Sequence, residues 1–121
     1  LSPTRDFNYV KDTVSGFLAL GLSHEAVGQE VNIASQTEIS VGDLAREIIR
    51  QTGSDAEIVS DNVRVRPSMS EVDRLLGSNA KLRSITDWRP EYPLDRGLGE
   101  TIAWFRRAPE LGSYKPELYN V

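Results

Sequence analysis

A chain of 121 residues, 39% hydrophobic and without cysteine, has room for one small domain and excludes disulfides, thiolate metal sites and cysteine nucleophiles. A net charge of −4 argues against nucleic acid as a partner. The longest apolar stretch, "GFLALGL", is far too short to span a membrane, and with no signal-like segment the chain reads as cytoplasmic.

The first element is an alternating run: Phe7, Tyr9 and Val10 stand among Asp6 and Asn8 and predict a strand. Asp12 occupies a helix-cap position, and Val14, Phe17, Leu18 and Leu22 follow at helical spacing. A strand running straight into a helix, with no start signal ahead of it, predicts a piece of something larger. Gly28 introduces a short predicted strand at Val31 to Ala34. The strongest helix signal is "TEISVGDLAREIIRQTG". Ser40 caps it, Asp43 stands three residues on, Val41, Leu44, Ala45, Ile48 and Ile49 make an apolar stripe, and Gly53 follows the last turn.

"AEIVS" predicts another short strand, and "DNVRVRPSMSEVDRLLGS" a loop around Pro67 with an extended exit near Val72 to Leu75. Asn79 starts a short helix that ends before Arg89, because the residue preceding Pro90 avoids helical geometry. A last helix, from about Leu94 to Arg106, presents Leu98, Thr101, Ile102 and Phe105 on one face, and residues 108–121 form an extended tail. The order is that of an α/β protein with too few strands to close a sheet, so the first strand and helix would leave apolar faces uncovered.

Reaction chemistry is scarce. "GLGET" lies inside the last helix with no strand before it, which fails the dinucleotide-binding pattern. The single histidine, His24, reads as a solvated loop residue, and neither Tyr9, Tyr92 nor Tyr114 is followed four positions later by lysine. Eleven of the 14 basic residues are arginine, which grips phosphate through a planar two-pronged contact. Arg66, stiffened by Pro67, and Arg5, at the start of the first strand, are candidates for a diphosphate clamp, with Arg64 projecting to the same side as Arg66. The plainer alternative pairs Arg5 with a nearby carboxylate and leaves Arg64 in solvent.

Four stretches, "TRDFNYVKDTVSGFLAL", "GQEVNIASQTEISVGDLAREIIRQTG", "RVRPSMSEVDRLLGSNAKL" and "DWRPEYPLDRGLGETIAWF", resemble in sequence and order the extended short-chain dehydrogenase/reductases. These are the NAD-dependent nucleotide-sugar epimerases and dehydratases. Among them the chain is most similar to the nucleotide-sugar 4,6-dehydratases, and the tail "YKPELYN" resembles those of the N-acetylglucosamine branch. The resemblance covers Pro3 to about Phe105, the C-terminal third of such an enzyme.

The resemblance implies an α/β C-terminal substrate-binding subdomain over residues 1–107, with residues 11–34 a helix and strand orphaned from the Rossmann sheet. Arg5 matches the arginine of the family's "RDF" motif and Arg66 that of its "RP" motif, both reaching the substrate diphosphate. Glu71 matches an acid that accepts hydrogen bonds from the ribose hydroxyls, although "PSMSE" is longer than the mannose dehydratase spacing. The implied ligand is a UDP- or GDP-linked hexose such as N-acetylglucosamine. NAD belongs to the N-terminal Rossmann domain of the parent enzyme, a lyase or isomerase and a homo-oligomer; the 121-residue piece is expected to bind no cofactor and to turn over nothing alone. A nucleotide-sugar epimerase and a non-catalytic interaction module are the alternatives.

Overall fold

The computed structural model of the chain describes residues 1–59 and 72–107. Thr4–Asp6 forms β1, and both of its edges are used. On one side it pairs antiparallel with β2 (Glu38–Ser40), Arg5 opposite Ile39; on the other it pairs parallel with β3 (Arg74–Leu75), Arg5 opposite Leu75. The sheet order is β2-β1-β3. Among the described residues there are also four α-helices, α1 (Val10–Leu22), α2 (Val41–Thr52), α3 (Ala80–Ile85) and α4 (Leu94–Arg107), and a 3-10 turn at His24–Ala26. No helix among the described residues is long and apolar enough to cross a membrane.

The first strand is displaced from its expected place. β1 ends at Asp6, where its ladder with β2 ends, and the alternating run beyond it becomes a helix entry. Tyr9, extended at φ −73° and ψ 141°, is the N-cap of α1, and the Thr13 N–H donates to its carbonyl at 3.1 Å. Asp12 is therefore not the cap. It lies in the first turn, 2% exposed, where its two oxygens accept the N–H groups of Glu91 at 2.9 Å and Tyr92 at 3.1 Å. A buried carboxylate needs such donors, and here they fasten α1 to the segment between α3 and α4.

Two other expected strands do not form. Val31 to Ala34 has no ladder partner among the described residues; side chains take its carbonyls instead. Asn8 Nδ2 donates to Ile33 at 3.2 Å and Asn79 Nδ2 to Ala34 at 2.9 Å. Asn79 is the N-cap of α3, where the sequence places the helix start, although its side chain goes to Ala34 and makes no cap bond. Ala56 to Val59 likewise lies outside the sheet, exposed and unladdered, and the rest of "AEIVS" is outside the described residues.

α2 follows its sequence signals closely. Ser40 Oγ accepts the Asp43 N–H at 2.9 Å, and Gly53 ends the helix in the left-handed region at φ 67°, where a Cβ would be strained. Its apolar stripe packs on α4, where Leu98, Thr101 and Ile102 are half-buried. The extended exit expected near Val72 to Leu75 is β3.

The core formed by the described residues is small. Among the described residues only Ala34, Leu82 and Trp88 are buried hydrophobics. Trp88 Nε1 donates to the Asp12 carbonyl at 3.2 Å and to Ser15 Oγ at 2.9 Å, which seats the indole beneath α1. Gly16 lies against Ile33, since a Cβ there would come within 2.8 Å of it. The other side of α1 is bare: Phe17 is 66%, Leu18 64% and Leu22 86% exposed.

The sheet is held at its edge by Glu38, whose carboxylate accepts from Arg74 Nη2 at 2.7 Å and from Thr4 Oγ1 at 2.8 Å. Arg74 first, then Thr4, holds Glu38 at about 2, below its ordinary 4.5. A folded-state value below the unfolded one stabilises fully above pH 4.5 and loses that contribution as pH falls toward 2. Glu38→Gln should therefore lower the urea midpoint at pH 6 and flatten the decline between pH 4.5 and 2; a parallel decline in both proteins would refute the assignment.

Candidate nucleotide-binding site

A cleft of about 380 Å³ opens at the end of β1. Three chain segments wall it: Arg5, Asp6 and Asn8; Asn32, Ile33 and Ala34; and Leu75, Leu76 and Gly77. Its size falls within the range of small-molecule sites, roughly 300–1,000 Å³. It combines one cation, one carboxylate, amide side chains and an apolar floor. Two further clefts, of about 150 and 230 Å³, share Phe7, Tyr92 and Leu94 and are lined by no charged side chain, so they offer a phosphate no cation.

Arg5 is the middle residue of β1 and half-buried. Its Nη1 donates to the Thr4 carbonyl at 2.8 Å, which anchors one end of the guanidinium. Of the expected clamp, only Arg5 can be placed. Arg66, Glu71 and Arg64 lie outside the described residues.

Sequence reasoning missed the residues that shape the cleft. Asp6 Oδ1 accepts the Ser35 N–H at 3.1 Å and its hydroxyl at 2.6 Å; Oδ2 accepts the N–H groups of Gln36 at 3.0 Å and Gly77 at 3.3 Å. The three walls are thus gathered on one carboxylate. Asn8 and Asn79 tie the Ile33–Ala34 wall from two sides, and each leaves its Oδ1 buried with no partner among the described residues. No local signal pointed to them, because these bonds join segments 25 to 71 positions apart.

Tyr9 and Lys11 sit nearby, yet their geometry is a fastening. Tyr9 Oη donates to Glu100 Oε2 at 3.0 Å and Lys11 Nζ to the same oxygen at 2.7 Å, which latches α4 onto the start of α1. Burial and the bond to Glu100 push the Tyr9 phenol up, while Lys11 and Tyr9 pull Glu100 down. A tyrosine with its phenolate disfavoured is a poor general base near neutral pH. Among the described residues no cluster of His, Cys, Asp and Glu could hold a metal ion. The connection from β1 into α1 is Phe7, Asn8 and Tyr9, without glycine, so these residues do not fit the diphosphate of a dinucleotide at a helix N-terminus.

Residues 1–101 match the family model described as GDP-mannose 4,6 dehydratase. The UDP-glucuronic acid decarboxylase 1 of Xenopus tropicalis is 35% identical over 88% of this chain and 24% of its own length. The GDP-6-deoxy-D-mannose reductase of Pseudomonas aeruginosa is 33% identical over 88% of this chain and 34% of its own. Among solved structures, epimerase Mth375 of Methanothermobacter thermautotrophicus superposes with a TM-score of 0.79 at 36% identity, covering 87% of this chain and 30% of that one. The Bordetella bronchiseptica enzyme WbmF in complex with NAD+ and UDP gives 0.68 at 29% identity, covering 93% and 31%. The chain spans about a quarter to a third of the length of these proteins.

The cleft depends on a close approach at its rim. A Cβ at Gly77 would lie 2.5 Å from the Ala34 Cβ and 3.5 Å from Asp6 Oδ2. Gly77→Ala should destabilise the fold by about 1–3 kcal/mol, measured by urea unfolding. Adding Ala34→Gly should restore much of the loss, and no recovery would mean that the two segments do not meet as described.

Proposed function

The chain belongs to the GDP-mannose 4,6 dehydratase family, and on that premise we propose that it is the nucleotide-sugar-binding part of an NAD-dependent nucleotide-sugar 4,6-dehydratase. Family membership alone places it among nucleotide-sugar dehydratases, decarboxylases and epimerases. The observation that carries the finer reading is Arg5, a guanidinium on a strand clamped from both sides, lining a cleft with Asn32 for hydroxyls and Leu75 and Leu76 for an apolar ring or sugar face. In this reading Arg5 grips the diphosphate, Arg66 is the second arm of the clamp, and Glu71 takes the ribose hydroxyls. The ligand is a UDP- or GDP-linked hexose of the N-acetylglucosamine type. That WbmF was solved with UDP supports a nucleoside diphosphate here.

The rest of the enzyme, in the same reading, supplies what this chain lacks. NAD and the proton-transfer residues belong to a Rossmann domain that packs on residues 11–34, in a cytoplasmic homo-oligomer. The exposed side of α1 supports that arrangement, because Phe17, Leu18 and Leu22 form an apolar row that a stable surface does not leave in water. An epimerase would use the same cleft, and the likeness to Mth375 keeps that reaction as the second reading.

Two measurements test the proposal. Calorimetric titration with UDP, GDP and their sugars should show binding that Arg5→Ala weakens by about tenfold to a hundredfold, the loss of one or two charge-assisted contacts. Arg5→Lys should recover part of it. Equal binding by wild type and Arg5→Ala would end the diphosphate assignment. Separately, the 121-residue chain should self-associate in sedimentation, and Leu18→Asp should abolish the association without lowering the melting temperature. A monomer at high concentration would argue against a partner surface on α1.

A further inference from the structure

The Asp6 carboxylate is the point where all three walls of the Arg5 cleft meet, and we propose that Asp6 is a positioning residue that sets Arg5 for oxyanion binding. The inference rests on the reading of Arg5 as the diphosphate ligand. It assigns a supporting role to a residue that lines the same cleft and whose charge has the wrong sign to hold the ligand.

The geometry is particular. Asp6 follows Arg5 directly, so its side-chain bonds fix the strand end from which the guanidinium projects. One oxygen holds Ser35 through N–H and hydroxyl, at 3.1 and 2.6 Å; the other holds Gln36 and Gly77, at 3.0 and 3.3 Å. Gln36 is the one non-glycine residue with positive φ among the described residues, at 63°. That conformation is disfavoured for a residue with a Cβ, so the loop needs an outside hold to keep it. Asp6 provides that hold. On the opposite side, Gly77 is drawn to the same carboxylate and brings Leu75 and Leu76 to the cleft. The arrangement is a preorganised support of the kind that keeps a binding group at its working position before the ligand arrives.

Charge makes the test decisive. A carboxylate beside a phosphate site repels the ligand, so by Coulomb's law alone its removal strengthens anion binding. Positioning predicts the reverse. Asn at this position keeps one acceptor oxygen and turns an amide toward donors that the second oxygen held.

The experiment is calorimetric titration of the full chain with UDP. Asp6→Asn should weaken binding by roughly tenfold. In an Arg5→Ala background it should cause no further loss, whereas a general loosening of the fold would add to it. Gln36→Gly, which removes the left-handed strain, should rescue part of the Asp6→Asn defect. Unchanged or tighter binding by Asp6→Asn, or a full loss persisting without Arg5, overturns the proposal. Should Asp6→Asn not fold, Ser35→Ala, which withdraws one donor and keeps the charge, must show a smaller loss in the same direction; unchanged binding overturns the proposal there too. Should the wild type bind no UDP, the diphosphate reading fails, and the positioning role is then read from 15N relaxation of the Arg5 Nε–H group. Its order should fall in Asp6→Asn or Ser35→Ala; an unchanged order refutes the role.

Discussion

Two aspartates, six residues apart, accept backbone N–H groups from segments far along the chain, and this one type of bond organises everything else. Asp6 binds Ser35, Gln36 and Gly77; Asp12 binds Glu91 and Tyr92. Asp12 is buried and Asp6 half-buried, and a carboxylate withdrawn from water is costly unless donors converge on it, so each aspartate favours the loop geometry that supplies them. The selection runs across 29 to 80 positions of sequence. These bonds connect elements that a core of three buried hydrophobics does not connect by packing alone.

That division of labour shows in the layout. Hydrophobic burial centres on Leu82 and Trp88 beneath α1, while the sheet is only two or three residues long on each strand and relies on edge contacts such as the Arg74–Glu38 pair. Alone, an exposed ion pair contributes little. Here it closes a set that also includes Thr4, the central strand and the parallel entry of β3. The outer side of α1 stands outside this scheme, with its apolar row uncovered.

The candidate site sits where these two regimes meet. Arg5 belongs to the polar end, on a strand paired along both edges, whereas Ile33, Ala34, Leu75 and Leu76 supply the apolar side of the cleft. A charged group held against an apolar wall is screened less by water than one on an open surface, which favours a compact anion as its ligand. The family shared with nucleotide-sugar enzymes agrees with that chemistry.

The sequence by itself determined whatever depends on neighbours within a turn or two. α2 is the clearest case: Ser40, Asp43, the apolar stripe and Gly53 act locally, and the helix lies where they place it. α4 and the extended entry of β3 were legible for the same reason. Tertiary structure decided the rest. Phe7 to Val10 alternates like a strand, yet a strand exists only where a ladder partner lies alongside, and the ladders stop at Asp6. Val31 to Ala34 has the composition of a strand, but its carbonyls meet Asn8 and Asn79 in place of another backbone. Asp12 has the spacing of a cap, but it turned inward because Glu91 and Tyr92 offer it two N–H groups at once. Asp6 drew no notice for the same reason: its partners are 29, 30 and 71 residues away, and no local pattern encodes a bond across that distance.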